Sequence, residues 1–173
     1  MLGTALQLGQ YGSREMRVSS MTALDSRDIT CGGIRDHEGK WIGGFTKKLG
    51  KGNILLAEMC GILEGLQVAW HNNLKKIIIE SDSLQAVSYI LASLDRKHPL
   101  YPILHKIKLL LANDWDVKVI HISRDSNRIA DNLAFRAHVL DFGLYIYDAP
   151  PASCVELYRD DSRKASLPAL PVC

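Results

Sequence analysis

Cysteine pairs are missing from this sequence. Its 173 residues hold four cysteines, at positions 31, 60, 154 and 173. No two stand at the spacing of a zinc knuckle or a CxxC motif, so free thiols in a reducing compartment are expected. Long hydrophobic runs are also missing, since nothing approaches the ~18–20 apolar residues that span a bilayer. The opening MLGTALQLGQYGSREMR has neither a basic leader nor a convincing apolar core, so no signal peptide is expected. Charge of one sign is scarce: 21 Lys and Arg face 19 Asp and Glu, a net +2. That surplus neither demands nor excludes nucleic acid, because binding depends on where charge clusters. No internal repeat is visible. What remains is an ordinary globular balance, 47% hydrophobic and 23% charged, which excludes wholesale disorder and lets one domain bury a core without staples. An intracellular monomer without membrane contact is expected, with nucleus and cytoplasm not distinguished.

The pattern along the chain predicts an α/β fold. Residues 1–16 read as a poorly ordered arm and 17–24, RVSSMTAL, as a weak strand. TCGGIR and WIGGFTKK flank the turn DHEGK as a hairpin. From Asn53 to His71 the period becomes helical, with Leu55, Met59, Ile62, Leu63, Leu66 and Trp70 on one stripe. Gly61 and Gly65 interrupt that stripe and suggest a close neighbour to the backbone. KKIIIE, 75–80, reads as a strand covered on both faces, followed by a helix to about Leu94. A third helix over 103–112, a strand over 117–122 and a last helix over 128–139 follow. A strand-like LYIY then precedes a proline-containing tail. The domain is placed at 17–148 and the tail at 149–173. Strands separated by helices imply a partly parallel sheet, made mixed by the hairpin.

Three carboxylates occupy unusual positions. Glu58 borders the apolar stripe, either reaching water past its neighbours or held for a purpose, since charged side chains are rarely buried unpaired. Glu64 lies well around the helix and reads as solvated. Asp82 follows a buried strand, where α/β sheets gather ligands. Asp82 with Gln85 also fits a helix cap with a reciprocal partner, whereas capping by Ser81 would leave Asp82 free. Asp131 stands one turn after Asn127 on the last helix, either exposed or part of a site. His121 lies on the last strand before it, either as a hydrogen-bonded strand-end histidine or as a proton carrier. Together they come from separate elements of one layered sheet. Hard divalent cations want such clustered oxygens, and two ions about 4 Å apart can activate water and stabilise a leaving oxygen in phosphodiester cleavage. A nearby histidine can ferry a proton.

The segments GGIRDHEGKWIGGF, LLAEMCGILEGLQVAW, KKIIIESDSLQAV, HPLYPILHKIKLLL and DVKVIHISRDSNRIADNLA resemble the reverse-transcriptase-like ribonuclease H domains abundant in plant genomes, relatives of type 1 ribonuclease H. The likeness runs from about residue 30 to 148 and is most specific at H-x5-N-x3-D followed by NLA. It implies a ribonuclease H-like three-layer fold, a five-stranded mixed sheet flanked by helices. It also implies divalent-metal-dependent hydrolysis of RNA in RNA–DNA hybrids, with Mg²⁺ or Mn²⁺ as two ions in an intact site. By position, it makes Glu58, Asp82 and Asp131 the metal ligands and His121 the mobile histidine. Ser83 and Asn127 become substrate contacts.

The first strand departs from the pattern. The family's N-[ST]-D-G-A segment has its nearest match in Val18-Ser19-Ser20-Met21-Thr22-Ala23, with methionine where the first aspartate belongs. A thioether cannot replace a hard anionic ligand. Either Asp25 or Asp28 takes its place or the metal site is damaged. The alternatives to an active enzyme are therefore a catalytically impaired nucleic-acid-binding module or a decayed transposon-derived fragment. Some type 1 enzymes carry a basic, tryptophan-containing protrusion after the second helix, and here only Asp95 to Pro102 fills that place. Phosphate contacts would then fall to Lys47, Lys48, Lys51, Lys75, Lys76, Arg124 and Arg128, with the hybrid distinguished by duplex shape and 2′-hydroxyls.

Overall fold

A computed structural model describes residues 14–22, 29–50, 53–92, 95–124, 132–133 and 140–156, with backbone alone over 19–22. The chain runs β1 (Met16–Thr22), β2 (Ile29–Asp36), β3 (Trp41–Lys48), α1 (Ile54–His71), β4 (Lys76–Ser81), α2 (Leu84–Leu91), α3 (Tyr101–Leu111), β5 (Asp116–His121) and β6 (Gly143–Tyr147). The strands form one mixed sheet in the order β5-β4-β1-β2-β3-β6. β1 pairs parallel with β4, and β4 pairs parallel with β5. The β1–β2, β2–β3 and β3–β6 pairs are antiparallel.

The hairpin forms because Asp36 organises its turn. Its carboxylate accepts from the Glu38 and Lys40 N–H groups at 3.0 and 2.8 Å. Gly39 supplies the left-handed residue at φ 79° that side chains disfavour. In α1 the Asn53 side chain caps the first turn by accepting from the Leu56 N–H. One continuous core then joins Met16 and Val18 of β1, Phe45 of β3, Met59, Ile62 and Leu66 of α1, Ile77 and Ile79 of β4, Ile90 of α2 and Ile107 of α3. β4 is buried over Ile77–Ser81, as its unbroken apolar run predicts.

Three differences from the sequence reading have physical causes. The sheet has six strands rather than five, because Gly143–Tyr147 hydrogen bonds along the outer edge of β3. α3 begins at Tyr101, two residues before Ile103, because Pro102 sits in the first turn, where no N–H is required of it. α2 ends at Leu91, short of Leu94, where the Lys108 ammonium donates to the Ala92 carbonyl at 2.5 Å. Of the expected last helix, Asn132 and Leu133 are described. Both are helical, and Leu133 is fully buried. In the tail, Cys154 is fully buried and its thiol lies 3.2 Å from Asn132 Oδ1. Cys31, Cys60 and Cys154 are free thiols. Among the described residues no helix is long and apolar enough to cross a membrane.

Candidate functional site

The end of β4 releases Asp82 rather than using it as a cap. Ser83 is the N-cap of α2, and its hydroxyl oxygen accepts from the Ala86 N–H at 3.2 Å. The Ser81 hydroxyl oxygen accepts from the Ser83 N–H at 3.2 Å. The cap expected of Asp82 with Gln85 is therefore absent, and the Asp82 carboxylate has no capping duty. Its side chain is only 7% exposed, and Oδ2 lies 4.0 Å from Arg124 Nε. Oδ1 is buried with no hydrogen-bond partner among the described residues. Desolvation pushes the Asp82 carboxyl above its usual range, opposed by a backbone hydrogen bond and by Arg124 and His121. A buried carboxylate oxygen without a donor suits a hard cation.

Glu58 reaches the same end of the sheet by helix geometry. A Cβ on Gly65 would meet Val18 Cγ1 at 2.8 Å, so α1 crosses β1 at that point. The pairings make β3, β1 and β4 parallel. α1 therefore runs back across them, and its N-terminus lies over their C-terminal ends. Glu58 stands two turns before Gly65 on the same helix face, about 10 Å along the axis. Val18 to Met21 spans about the same distance on β1. Glu58 is accordingly level with the strand ends, and it is buried at 6% exposure. A cleft of about 350 Å³ opens there, lined by Asn53, Ile54 and Leu55 of the α1 entry and by Ser83 and Gln85 of the α2 entry.

His121 completes the described part. It is the last residue of β5, paired in register with Ser81, and it is exposed. On the other side of β4, Ser19 pairs with Glu80 and Ser20 with Ser81. Met21 is one residue further on, level with Asp82, and pairs across β1–β2 with Cys31. Methionine thus holds the strand position beside Asp82. Asp25, Asp28, Asn127 and Asp131 lie outside the described residues. Among the described residues no three His, Cys, Asp or Glu side chains form a group that could hold a metal ion.

The charges around the site differ from the sequence reading. Glu64 is buried rather than solvated, at 6% exposure, and pairs with Lys47. Its burial follows from α1 packing over β3, which brings a strand lysine to the helix. Lys47 is therefore neutralised at home. Lys76 faces Glu15 at 3.8 Å, Lys48 donates to the Leu140 carbonyl, and Lys75 lies over the Trp70 ring. Lys51 and Arg128 lie outside the described residues. A feature missed by sequence reading is Glu80, 2% exposed. It accepts from Arg17 at 2.6 Å and from Arg35 at 2.5 Å, tying β4 to β1 and β2. Only cross-strand register could have revealed it.

This strand order, with an acid released at the end of a parallel strand and a buried glutamate on the helix that crosses the sheet, marks the ribonuclease H-like α/β class. The family model described as reverse transcriptase-like matches residues 26–137, and the chain belongs to that family. The match begins after β1. A protein of Arabidopsis thaliana provisionally named a ribonuclease H protein is 32% identical over 137 residues, covering 79% of this chain and 22% of its own length. The chain thus spans about a fifth of that relative. Among solved structures, the N-terminal ribonuclease H domain of a Mycobacterium tuberculosis protein superimposes with TM-score 0.65 at 18% identity, over 72% of this chain and 94% of that one. The ribonuclease H1 of Halobacterium salinarum gives 0.65 at 19%, over 72% and 97%. LC11 ribonuclease H1, in complex with an RNA/DNA hybrid, gives 0.60 at 16%, over 68% and 92%. These likenesses establish the fold.

Proposed function

We propose that this domain binds RNA–DNA hybrids and hydrolyses their RNA strand with a divalent metal ion, Mg²⁺ or Mn²⁺. The observation that carries the reading is Asp82, a buried strand-end carboxylate with one oxygen left without a donor among the described residues. Glu58, level with it on α1, supplies a second hard anionic ligand, and Asp131 is assigned the third. These donors fit a hard cation in charge and in oxygen chemistry. When bound, such an ion supplies an activated water and screens the phosphate charge. Glu58 and Asp82 would hold that ion, and the anionic phosphate would meet the two carboxylates only through it. Exposed His121, at the strand end beside Ser81, moves a proton to or from the reacting groups. Ser83, in the cleft wall, and Asn127 contact the substrate. The test is cleavage of an end-labelled hybrid in Mg²⁺ or Mn²⁺. Cleavage lost in Glu58→Gln is expected, and none above that variant would refute the reading.

One observation favours a second reading, a hybrid-binding module with impaired catalysis. Met21 occupies the strand position level with Asp82, where a neutral thioether adds no charge to the donor set. Met21→Asp discriminates: a large gain in metal-dependent cleavage supports impairment, and an unchanged rate refutes it.

A further inference from the structure

Among the described residues the sheet ends in two edges, β5 and β6, and they are protected unequally. β5 carries Asp116, Lys118 and His121 along its length, and such side chains discourage a second sheet from adding to an edge. β6 reads Gly-Leu-Tyr-Ile-Tyr, with neither charge nor proline. Among the described residues no strand pairs with its outer side. Leu144 and Ile146 are 45% and 43% exposed, and Phe142, just before the strand, is 72% exposed. Leu144 stands beside Lys47 and Ile146 beside Phe45 on one face of the sheet, whereas Tyr145 stands beside Thr46 on the other.

We infer that β6 pairs antiparallel with β6 of a second copy of this chain, joining the two sheets across a two-fold axis. An axis perpendicular to the sheet makes the contact self-complementary and keeps each face on its own side. Only the register centred on Tyr145 then pairs all five residues of the strand. It sets Leu144 against the partner's Ile146 and Ile146 against the partner's Leu144, so the exposed aliphatic side chains meet in two cross-strand pairs. It also sets Tyr147 across from the partner's Gly143, and an aromatic ring covers an edge glycine well.

Charge points to a second copy as the occupant. Lys48 pairs in register with Gly143 at the start of β6. Its ammonium lies 5.4 Å from the Phe142 ring centroid and donates to the Leu140 carbonyl. Asp148 follows the other end of the strand and is exposed. Neither has an ion-pair partner among the described residues. The length of β6 separates them by about 17 Å, too far to meet within one chain. Antiparallel pairing centred on Tyr145 carries the partner's Asp148 to Phe142, beside the Lys48 ammonium. The two-fold axis repeats the contact, so two complementary pairs close the ends of the interface. β4, which presents Asp82 at its end, lies four strands from β6, so the interface leaves both clefts open. The inference does not depend on the nuclease reading.

Sedimentation velocity of the full chain from about 10 µM to about 1 mM reads the association, because an edge this short buries less than a standard interface and binds weakly. The parent is expected to pass from monomer to dimer over that range. Ile146→Lys, which places a charge on the edge, is expected to weaken the dimer by about 10-fold or more. Lys48→Asp and Asp148→Lys each set like charges together at both ends, and each alone is expected to weaken it by on the order of 10-fold. Mixed in equal amounts, these two variants restore opposite charges at both ends and are expected to recover the parent affinity within about threefold. That recovery also shows both variants to be folded, whatever the fate of Ile146→Lys. A parent that stays monomeric throughout overturns the inference. So does a dimer equally tight in folded Ile146→Lys, or a mixture no tighter than its components.

Discussion

Replacing Asp82 by Asn separates a structural carboxylate from one kept for a cation. In the metal-free protein the Asp82 carboxylate is 7% exposed, and one oxygen is buried without a donor among the described residues. Arg124 lies 4.0 Å away and is 45% exposed, so the pair is worth about 0–1 kcal/mol. Burying the charge costs more than that pair returns, and Asp82→Asn should raise the melting temperature of the metal-free protein at pH 7. The sign with pH follows from the raised carboxyl. The folded state holds the proton more tightly than the unfolded one, so the favourable contribution is complete below the usual carboxylate range. It is lost as pH rises through the folded value. The advantage of the Asn variant should therefore grow from acid to neutral pH. Magnesium should reverse the ranking. A site with a dissociation constant on the order of 1 mM, in about 10 mM Mg²⁺, gains about 1.4 kcal/mol. For a chain of this size that is about 3–6 °C. Thermal melts of both proteins with Mg²⁺ or EDTA provide the assay. A Mg²⁺ shift that survives in the Asn variant would sink the reasoning, as would a metal-free variant less stable by more than about 1 kcal/mol.

Gly65→Ala should lose about 1 kcal/mol, because crowding against Val18 Cγ1 at 2.8 Å costs about 1–3 kcal/mol and helix propensity returns about 1. A lower urea midpoint with unchanged slope checks it. Glu80→Gln leaves Arg17 and Arg35 without their shared anion. Since those side chains are 39% and 18% exposed, the expected loss is about 2–3 kcal/mol, below the fully buried range, read by the same denaturation. Asp36→Ala removes two bonds to turn amides and should cost about 1–2 kcal/mol. Faster hydrogen exchange at the Glu38 and Lys40 amides is the local readout.

The element order was legible because periodicity is a local property. The apolar stripe of 53–71 became α1, the unbroken run KKIIIE became β4, and WIGGFTKK became β3 with the same bounds. Features that depend on register were not legible. Lys47 and Glu64 are 17 residues apart, and only the crossing of α1 over β3 brings them together. LYIY looked strand-like, yet its partner β3 lies about a hundred residues earlier, and nothing local names it. Asp82 and Ser83 are neighbours with equal claims to cap α2. The choice fell to Ser83 because its backbone is extended at φ −90° and ψ 93°, which aims its hydroxyl at the Ala86 N–H. Residue type and spacing therefore singled out Asp82, while its freedom from the cap depended on backbone geometry that the sequence does not show.

β1 shows why fold and site can diverge in one strand. Its hold on the sheet comes from backbone pairing to β2 and β4, which any side chain allows. Met16 and Val18 add the core, both fully buried, and Arg17 adds the bond to Glu80. Position 21 contributes through its backbone, which pairs with Cys31 of β2. Backbone pairing is indifferent to the side chain, so methionine at position 21 leaves the strand's place in the sheet intact. Affinity for hard ions follows the number of anionic ligands. A sheet of this order consequently testifies to ancestry, and the count of carboxylates level with Asp82 decides whether chemistry accompanies it.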